Sequence, residues 1–247
     1  MREILFGRNA VRECLRAGRR KVYRLVIAEG VREADVLGEI VRLAERARVP
    51  VQRVPRDSVD QIAKGGGAQG IALEAEDYPY VDPGEILALA QSRGEPPFVL
   101  LLDLLQDPQN VGTLLRTAEA VGVHGVVLQE RRSAEITPAV ANASAGAVEH
   151  LLIARETNLV RVMEMLKAEG VWLVGLEATS ADRIDRANLK GPLGLVVGSE
   201  GEGLRRLVRE RCDFLVSLPM RGKIESLNAA TAGSIALYRA WEARGFA

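Results

Sequence analysis

Short apolar, β-branched runs alternate along this chain with longer segments whose apolar positions fall three or four apart. Residues 9–17 predict a helix stopped by Gly18, and 22–28 predict a strand. Residues 33–48 predict a second helix, with Val36, Ile40, Leu43 and Ala47 on one face. A short strand follows at 49–54, a short helix at 57–64 closed by Gly65, Gly66 and Gly67, and a strand at 70–76. Two polar stretches, 74–83 and 92–97, carry prolines and frame a helical turn or two at 85–91. The pattern predicts two domains, 1–77 and 97–247, with a linker over 78–96.

The second domain alternates more strongly. Buried strands are expected at 98–103, 123–128, 148–154, 171–176, 193–197 and 214–218, and helices at 111–121, 159–169, 204–211 and 226–243. This is an α/β pattern with a mainly parallel sheet covered on both faces. Ligands of such sheets bind beyond the carboxyl ends of the strands, which directs attention to the residues after each strand.

Composition narrows the partners. The net charge of the 247 residues is +0, so no global basic excess marks a nucleic-acid binder. Locally, Arg2, Arg8, Arg12, Arg16, Arg19, Arg20, Lys21 and Arg24 face only Glu3 and Glu13, a basic stretch that suits phosphate contacts. Arg8, Arg19, Arg20 and Lys21 are its candidate phosphate-binding residues. Aromatic residues make up 4%, too few for a platform that stacks single strands. Cys14 and Cys212 form no disulfide framework, and His124 and His150 no ligand cluster, so no metal is expected. No apolar run reaches membrane-spanning length and no signal peptide is evident, so a cytoplasmic protein is expected.

Three segments carry candidate chemistry. In Asp107-Pro108-Gln109-Asn110-Val111-Gly112-Thr113-Leu114-Leu115-Arg116 a helix opens after a strand, with Asn110 suited to the N-cap and Arg116 six residues on. In Gly198-Ser199-Glu200-Gly201-Glu202-Gly203 a strand ends in a turn where backbone can approach a ligand closely. Its two glutamates would repel a pyrophosphate and tolerate a cationic ligand. In Leu218-Pro219-Met220-Arg221-Gly222-Lys223-Ile224-Glu225-Ser226-Leu227-Asn228 a strand stops at proline and Ser226 or Asn228 can cap the last helix. Taken singly, each also reads as an ordinary strand-loop-helix junction.

In this order, the three segments resemble the motifs of the SpoU family of RNA ribose methyltransferases. Phe6-Gly7-Arg8-Asn9-Ala10-Val11 and Gln69-Gly70-Ile71 resemble the substrate-binding domain of the branch that modifies a guanosine of 23S rRNA, a domain similar to small ribosomal RNA-binding proteins. Ala68 departs from the histidine many relatives carry there. The resemblance implies a C-terminal domain tied in a trefoil knot, a homodimer built partly on the last helix, and no membrane partner. It implies S-adenosylmethionine held by Gly198, Leu218, Met220 and Leu227 with Leu176 and Ala178 assisting. It also implies catalysis by Asn110, Arg116, Glu200, Ser226 and Asn228, with Glu200 fixing Arg116 or its own loop. Arginine is essentially always protonated, so Arg116 is better read as binding a phosphate and stabilising developing alkoxide than as a base. Competing readings are a tRNA ribose methyltransferase, a non-catalytic RNA-binding protein of the same fold, and a dinucleotide-dependent oxidoreductase. The last fails because no glycine-rich phosphate loop follows the strand ending at Asp103.

Overall fold

A four-stranded mixed sheet and a six-stranded parallel sheet organise the chain in the computed structural model, which describes residues 2–32, 35–64 and 67–246. Glu33, the expected start of the second helix, and Gly65 and Gly66 lie outside the described residues. The first elements are β1 (Arg2–Phe6), α1 (Arg8–Ala17), β2 (Val22–Ala28), α2 (Asp35–Arg46), β3 (Val51–Val54), α3 (Arg56–Ile62) and β4 (Ile71–Glu76). Then come α4 (Pro83–Arg93), β5 (Phe98–Asp103), α5 (Pro108–Ala120), β6 (Gly125–Gln129), α6 (Pro138–Ala143), β7 (Leu152–Glu156), α7 (Leu159–Ala168) and β8 (Trp172–Leu176). The last are β9 (Leu193–Gly198), α8 (Arg206–Arg211), β10 (Phe214–Val216) and α9 (Ala229–Ala243).

One compact unit comprises Met1–Pro79 with Glu135–His150; the other comprises Tyr80–Ala134 with Leu151–Ala247. In the first unit the strand order is β1-β4-β2-β3, with only β2 and β3 parallel. Helix α1 ends where Gly18 adopts φ +62° and its N–H returns to the Cys14 carbonyl at 3.1 Å. Strand β1 escapes the sequence pattern because it is an edge strand, paired only with β4, and starts on Arg2 and Glu3. Residues 135–150 follow the second domain's strands in sequence yet pack here. A Cβ on Gly146 would lie 2.9 Å from the Asn9 carbonyl oxygen and 2.7 Å from the Glu13 Cβ. The expected strand at 148–154 therefore begins only at Leu152, after a 3-10 turn over Ala147–His150.

In the second unit the order is β10-β8-β9-β5-β6-β7, every pair parallel. All six residues of β5 are buried, as a central strand covered on both faces requires. Leu101, Leu173 and Val196 of the sheet pack with Val162, Met163 and Leu166 of α7 and Val208 of α8. Helices α5 and α9 run against each other: a Cβ on Gly233 would meet Leu114 at 2.5 Å and Val197 of β9 at 3.2 Å, and the Thr117 and Ser234 hydroxyls are 2.9 Å apart. Within the expected linker, α4 is a three-turn helix. Asp82 and Glu85 form a reciprocal capping box, Pro83 occupies the first turn, and Gly94 closes the helix in the left-handed region.

His124 ties the start of this sheet together. Its Nδ1 accepts the Phe98 N–H at 3.0 Å, so Nε2 carries the proton and donates to Glu95 at 3.0 Å. Burial holds its pKa below the ordinary histidine value, against the opposing pull of Glu95.

Candidate active site

Helix α5 is capped by Asp107, not Asn110: the Asp107 Oδ1 accepts the Gln109 N–H at 3.1 Å and Pro108 occupies the first helical position. An aspartate directly before proline is the better cap, since proline has no N–H to satisfy. Asn110 thus lies inside the first turn, and its side chain is available for other work. At the far end of the chain Asn228 does cap α9, its Oδ1 accepting the Ala230 and Thr231 N–H groups at 2.9 and 3.1 Å. The helix begins at Ala229, so Ser226 lies in the loop before it.

Three side chains distant in sequence meet between these helix starts. The Glu200 Oε1 accepts from Asn110 Nδ2 and from Asn228 Nδ2, each at 2.5 Å, and Asn228 Nδ2 also reaches Asn110 Oδ1 at 3.1 Å. The expected contact between Glu200 and Arg116 is absent; the carboxylate serves the two asparagines instead. Arg116 is exposed, makes no hydrogen bond or ion pair among the described residues, and lines neither cavity described below. Helix geometry explains this: six residues advance about 600°, so Arg116 points roughly 120° away from Asn110 around the axis.

The turn after β9 is tightly closed. Ser199 and Gly203 exchange two backbone hydrogen bonds at 3.1 and 3.0 Å. A Cβ on Gly198 would lie 2.2 Å from the Gly203 carbonyl carbon, so only glycine lets the turn fold back on the strand end.

A cavity of about 330 Å³ opens beside this turn. Gly198, Leu218, Met220, Leu227, Leu176 and Ala178, the six residues expected to hold a cofactor, all line it, as do Glu200 and Ser226. Glu177 and Glu202 also line it, as do Thr179 and Glu225, which sequence reading missed. Lying beside recognised motif positions was their only signal. The lining contains four glutamates and no lysine, arginine or histidine. Such a wall disfavours phosphate and favours a cation set among apolar groups. The sulfonium and ammonium of S-adenosylmethionine fit that chemistry, with Leu176, Leu218 and Leu227 for its apolar parts and the loop backbone beyond β10 for an adenine edge. A second cavity of about 360 Å³, lined by Leu104, Leu105, Gln106, Asp107 and Asn110, shares Ser199, Glu200 and Glu202 with the first. Among the described residues, no group of three or more His, Cys, Asp or Glu could hold a metal ion, and no helix is long and apolar enough to cross a membrane.

The basic stretch of the first unit is largely neutralised by acids, Glu74 and Glu149 from far along the chain and Glu13 from within the stretch itself. Arg20 is a correction: its side chain is 0% exposed and makes a two-pronged pair with buried Glu149 at 2.8 and 2.9 Å, plus a bond to Glu3 at 2.9 Å. It has no face left for a phosphate and belongs to the scaffold. Arg2 and Arg24 share Glu74, and Arg12 and Arg16 share Glu13. Arg19 donates to the Tyr78 hydroxyl at 3.0 Å, Lys21 is exposed, and the half-buried Arg8 has a guanidinium Nε with no hydrogen-bond partner among the described residues. Burial raises the thiol pKa of Cys14, and pushes that of Cys212 up to about 12. Neither thiol is therefore an activated nucleophile.

Known proteins resemble this chain over most of its length. Residues 97–238 match the SpoU rRNA Methylase family, and residues 4–81 match the RNA 2'-O ribose methyltransferase substrate binding family. YacO of Bacillus subtilis, named as a TrmH family tRNA/rRNA methyltransferase, is 42% identical over 244 residues, covering 98% of this chain and 96% of that one. A tRNA/rRNA methyltransferase of Mycolicibacterium vanbaalenii is 43% identical over 235 residues, covering 95% and 74%. The fold is similar to that of the SpoU methyltransferase AviRb from Streptomyces viridochromogenes, solved in complex with AdoMet (TM-score 0.82, 23% identity, 100% of this chain and 92% of that one). With family motifs spanning most of its length and relatives matched nearly end to end, the chain belongs to the SpoU rRNA methylase family.

Proposed function

We propose that this protein transfers a methyl group from S-adenosylmethionine to a ribose 2′-hydroxyl of RNA, a guanosine of 23S rRNA, and acts as a homodimer. The observation that carries the reading is the meeting of Asn110 and Asn228 on Glu200, a residue shared by a cation-favouring cavity and a second one. When bound, S-adenosylmethionine supplies a methyl group activated by its sulfonium. Gly198, Leu218, Met220 and Leu227, with Leu176 and Ala178, would hold it in the first cavity, and the target ribose would enter the second.

The protein's own contribution is alignment and charge. Glu200 orients both asparagine amides through one oxygen, which leaves its second oxygen without a partner among the described residues. Asn110 would then present its remaining amide N–H to the ribose, Asn228 would hold Asn110 and Glu200 in place from the start of α9, and Ser226 would hold the loop against the substrate. Arg116, exposed and unpaired among the described residues, is suited to the phosphate beside the target sugar, where it would stabilise the developing alkoxide while the proton leaves to phosphate or water. Lys21, Arg19 and Arg8 are the remaining candidates for RNA contact in the first unit.

Two further parts of the reading rest on the family. The trefoil knot is supported by the placement of β9 between β8 and β5, with the turns after β9 and β10 lining one cavity. The homodimer is supported by α9, whose Ile235 and Tyr238 are 41% and 48% exposed, a large apolar surface for a free helix face.

The test is methyl transfer from labelled S-adenosylmethionine into total RNA from cells lacking this protein, with the product mapped. Label on one 23S guanosine 2′-oxygen is the expected result. Label in tRNA keeps the chemistry and overturns the substrate; no label and no cofactor binding overturns both. Arg116→Lys is expected to lose activity at least about tenfold, because a point charge cannot replace the guanidinium fork. A near-wild-type rate would remove any specific guanidinium role.

A further inference from the structure

Asp103 takes no part in the chemistry above, yet its carboxylate is completely buried at the carboxyl end of β5. Aspartate is almost never fully buried without a partner, and among the described residues the partner here is Arg205, held at two points. The Asp103 Oδ2 accepts the Arg205 backbone N–H at 2.9 Å, and Oδ1 accepts the Arg205 Nε at 2.7 Å, with a second guanidinium nitrogen also at 2.7 Å. In the parallel ladder Asp103 lies opposite Gly198. It therefore stands at both ends of one loop. The strand residue beside it begins the 199–203 turn, and the arginine it grips follows that turn by two residues. Between them lie Glu200, which orders Asn110 and Asn228, and much of the cavity wall.

From this geometry we propose that Asp103 is a positioning residue for the methyl-donor cavity, acting through Arg205 to fix the spacing of the two ends of the 199–203 turn. The proposal rests on the reading of that cavity as the S-adenosylmethionine site. The carboxylate is wholly buried while the Arg205 side chain is 38% exposed, and burying one charge of an ion pair is a costly way to gain stability. Its distinct property is direction: a carboxylate taking a backbone N–H and a guanidinium fork from one residue admits a single arrangement of that residue. A plain structural anchor for α8 would leave cofactor affinity untouched; a device that sets the turn would not.

The experiment is titration of the full-length protein with S-adenosylmethionine by calorimetry, together with steady-state methyl transfer, for wild type, Asp103→Asn, Arg205→Gln and Arg205→Lys. Asp103→Asn keeps an acceptor for the Arg205 N–H and removes the charge; Arg205→Gln leaves the buried carboxylate its backbone donor. Both variants are expected to fold, to weaken cofactor binding and raise KM for S-adenosylmethionine by about ten- to a hundredfold, and to keep kcat at saturating cofactor within about threefold. Arg205→Lys restores charge without the fork and is expected to fall between wild type and Arg205→Gln. Unchanged cofactor affinity in Asp103→Asn and Arg205→Gln, or a fall in kcat with KM unchanged, overturns the proposal. Absence of binding by the wild-type protein overturns the reading of the cavity itself, and the proposal with it.

Discussion

Substituting Gly198 by alanine isolates the steric demand of the turn from any backbone preference, because Gly198 does not adopt a positive φ. The added methyl would lie 2.2 Å from the Gly203 carbonyl carbon, 2.4 Å from its oxygen and 2.5 Å from the Leu204 nitrogen. Ordinary contact needs about 3.5 Å or more, so the returning limb of the turn must retreat by roughly 1 Å. No flexible side chain can absorb this, since all three atoms are backbone and the two limbs are joined by the Ser199–Gly203 hydrogen bonds. Overpacking of this kind costs about 1–3 kcal/mol, and the upper end is expected here. In a chain of this size that corresponds to about 2–4 °C in Tm for each kcal/mol. Cofactor binding should suffer more than stability, because the displaced limb is cavity wall: a loss of at least about tenfold, or 1.4 kcal/mol, is expected. Calorimetric titration with S-adenosylmethionine and a thermal melt of the same sample measure the two effects. Wild-type affinity in a folded Gly198→Ala protein would refute the placement of the cofactor against this turn.

Asn228→Ala removes a helix cap and a Glu200 contact together, so it should lower stability by about 1–2 kcal/mol and abolish most methyl transfer. Asn228→Asp keeps the cap but sets a second carboxylate against Glu200, so it should lose activity while its melting temperature stays closer to wild type. Arg20→Ala should destabilise the protein by about 3–5 kcal/mol, because it strands buried Glu149, whereas Lys21→Ala should leave urea unfolding unchanged and weaken RNA binding in a salt-dependent manner. His124 is held neutral by burial, with a folded pKa below its unfolded value of about 6.5. As pH falls below that unfolded value, the unfolded chain takes up a proton that the folded site resists, so stability falls with pH. The wild-type protein should therefore lose more stability between pH 7.5 and 5.5 than His124→Asn does, and parallel urea curves for the two proteins would contradict the assignment.

Much of this molecule is written locally. The alternation of apolar runs and helical spacing predicts the six-stranded parallel sheet, because burial on both faces selects continuous apolar strands wherever they finally sit. The glycine turn after Val197 and the asparagine cap of α9 are likewise local, since each is set by backbone geometry within a few residues. Local pattern fails where polar residues disguise an element, as at the edge strand β1, or where two caps compete, as Asp107 and Asn110 do. Pairing across distance was settled only by the tertiary structure. Asn110 and Glu200 are 90 residues apart, and Glu200 and Asn228 are 28 apart. They meet because β9 enters the sheet beside β5 and α9 packs on α5. The same holds for Arg20, whose partner Glu149 is 129 residues away and turns an apparent phosphate ligand into buried scaffold. A periodicity reports which face of an element is buried; it carries no information about which distant charge or amide will occupy the space beside it, and the site is made of those choices.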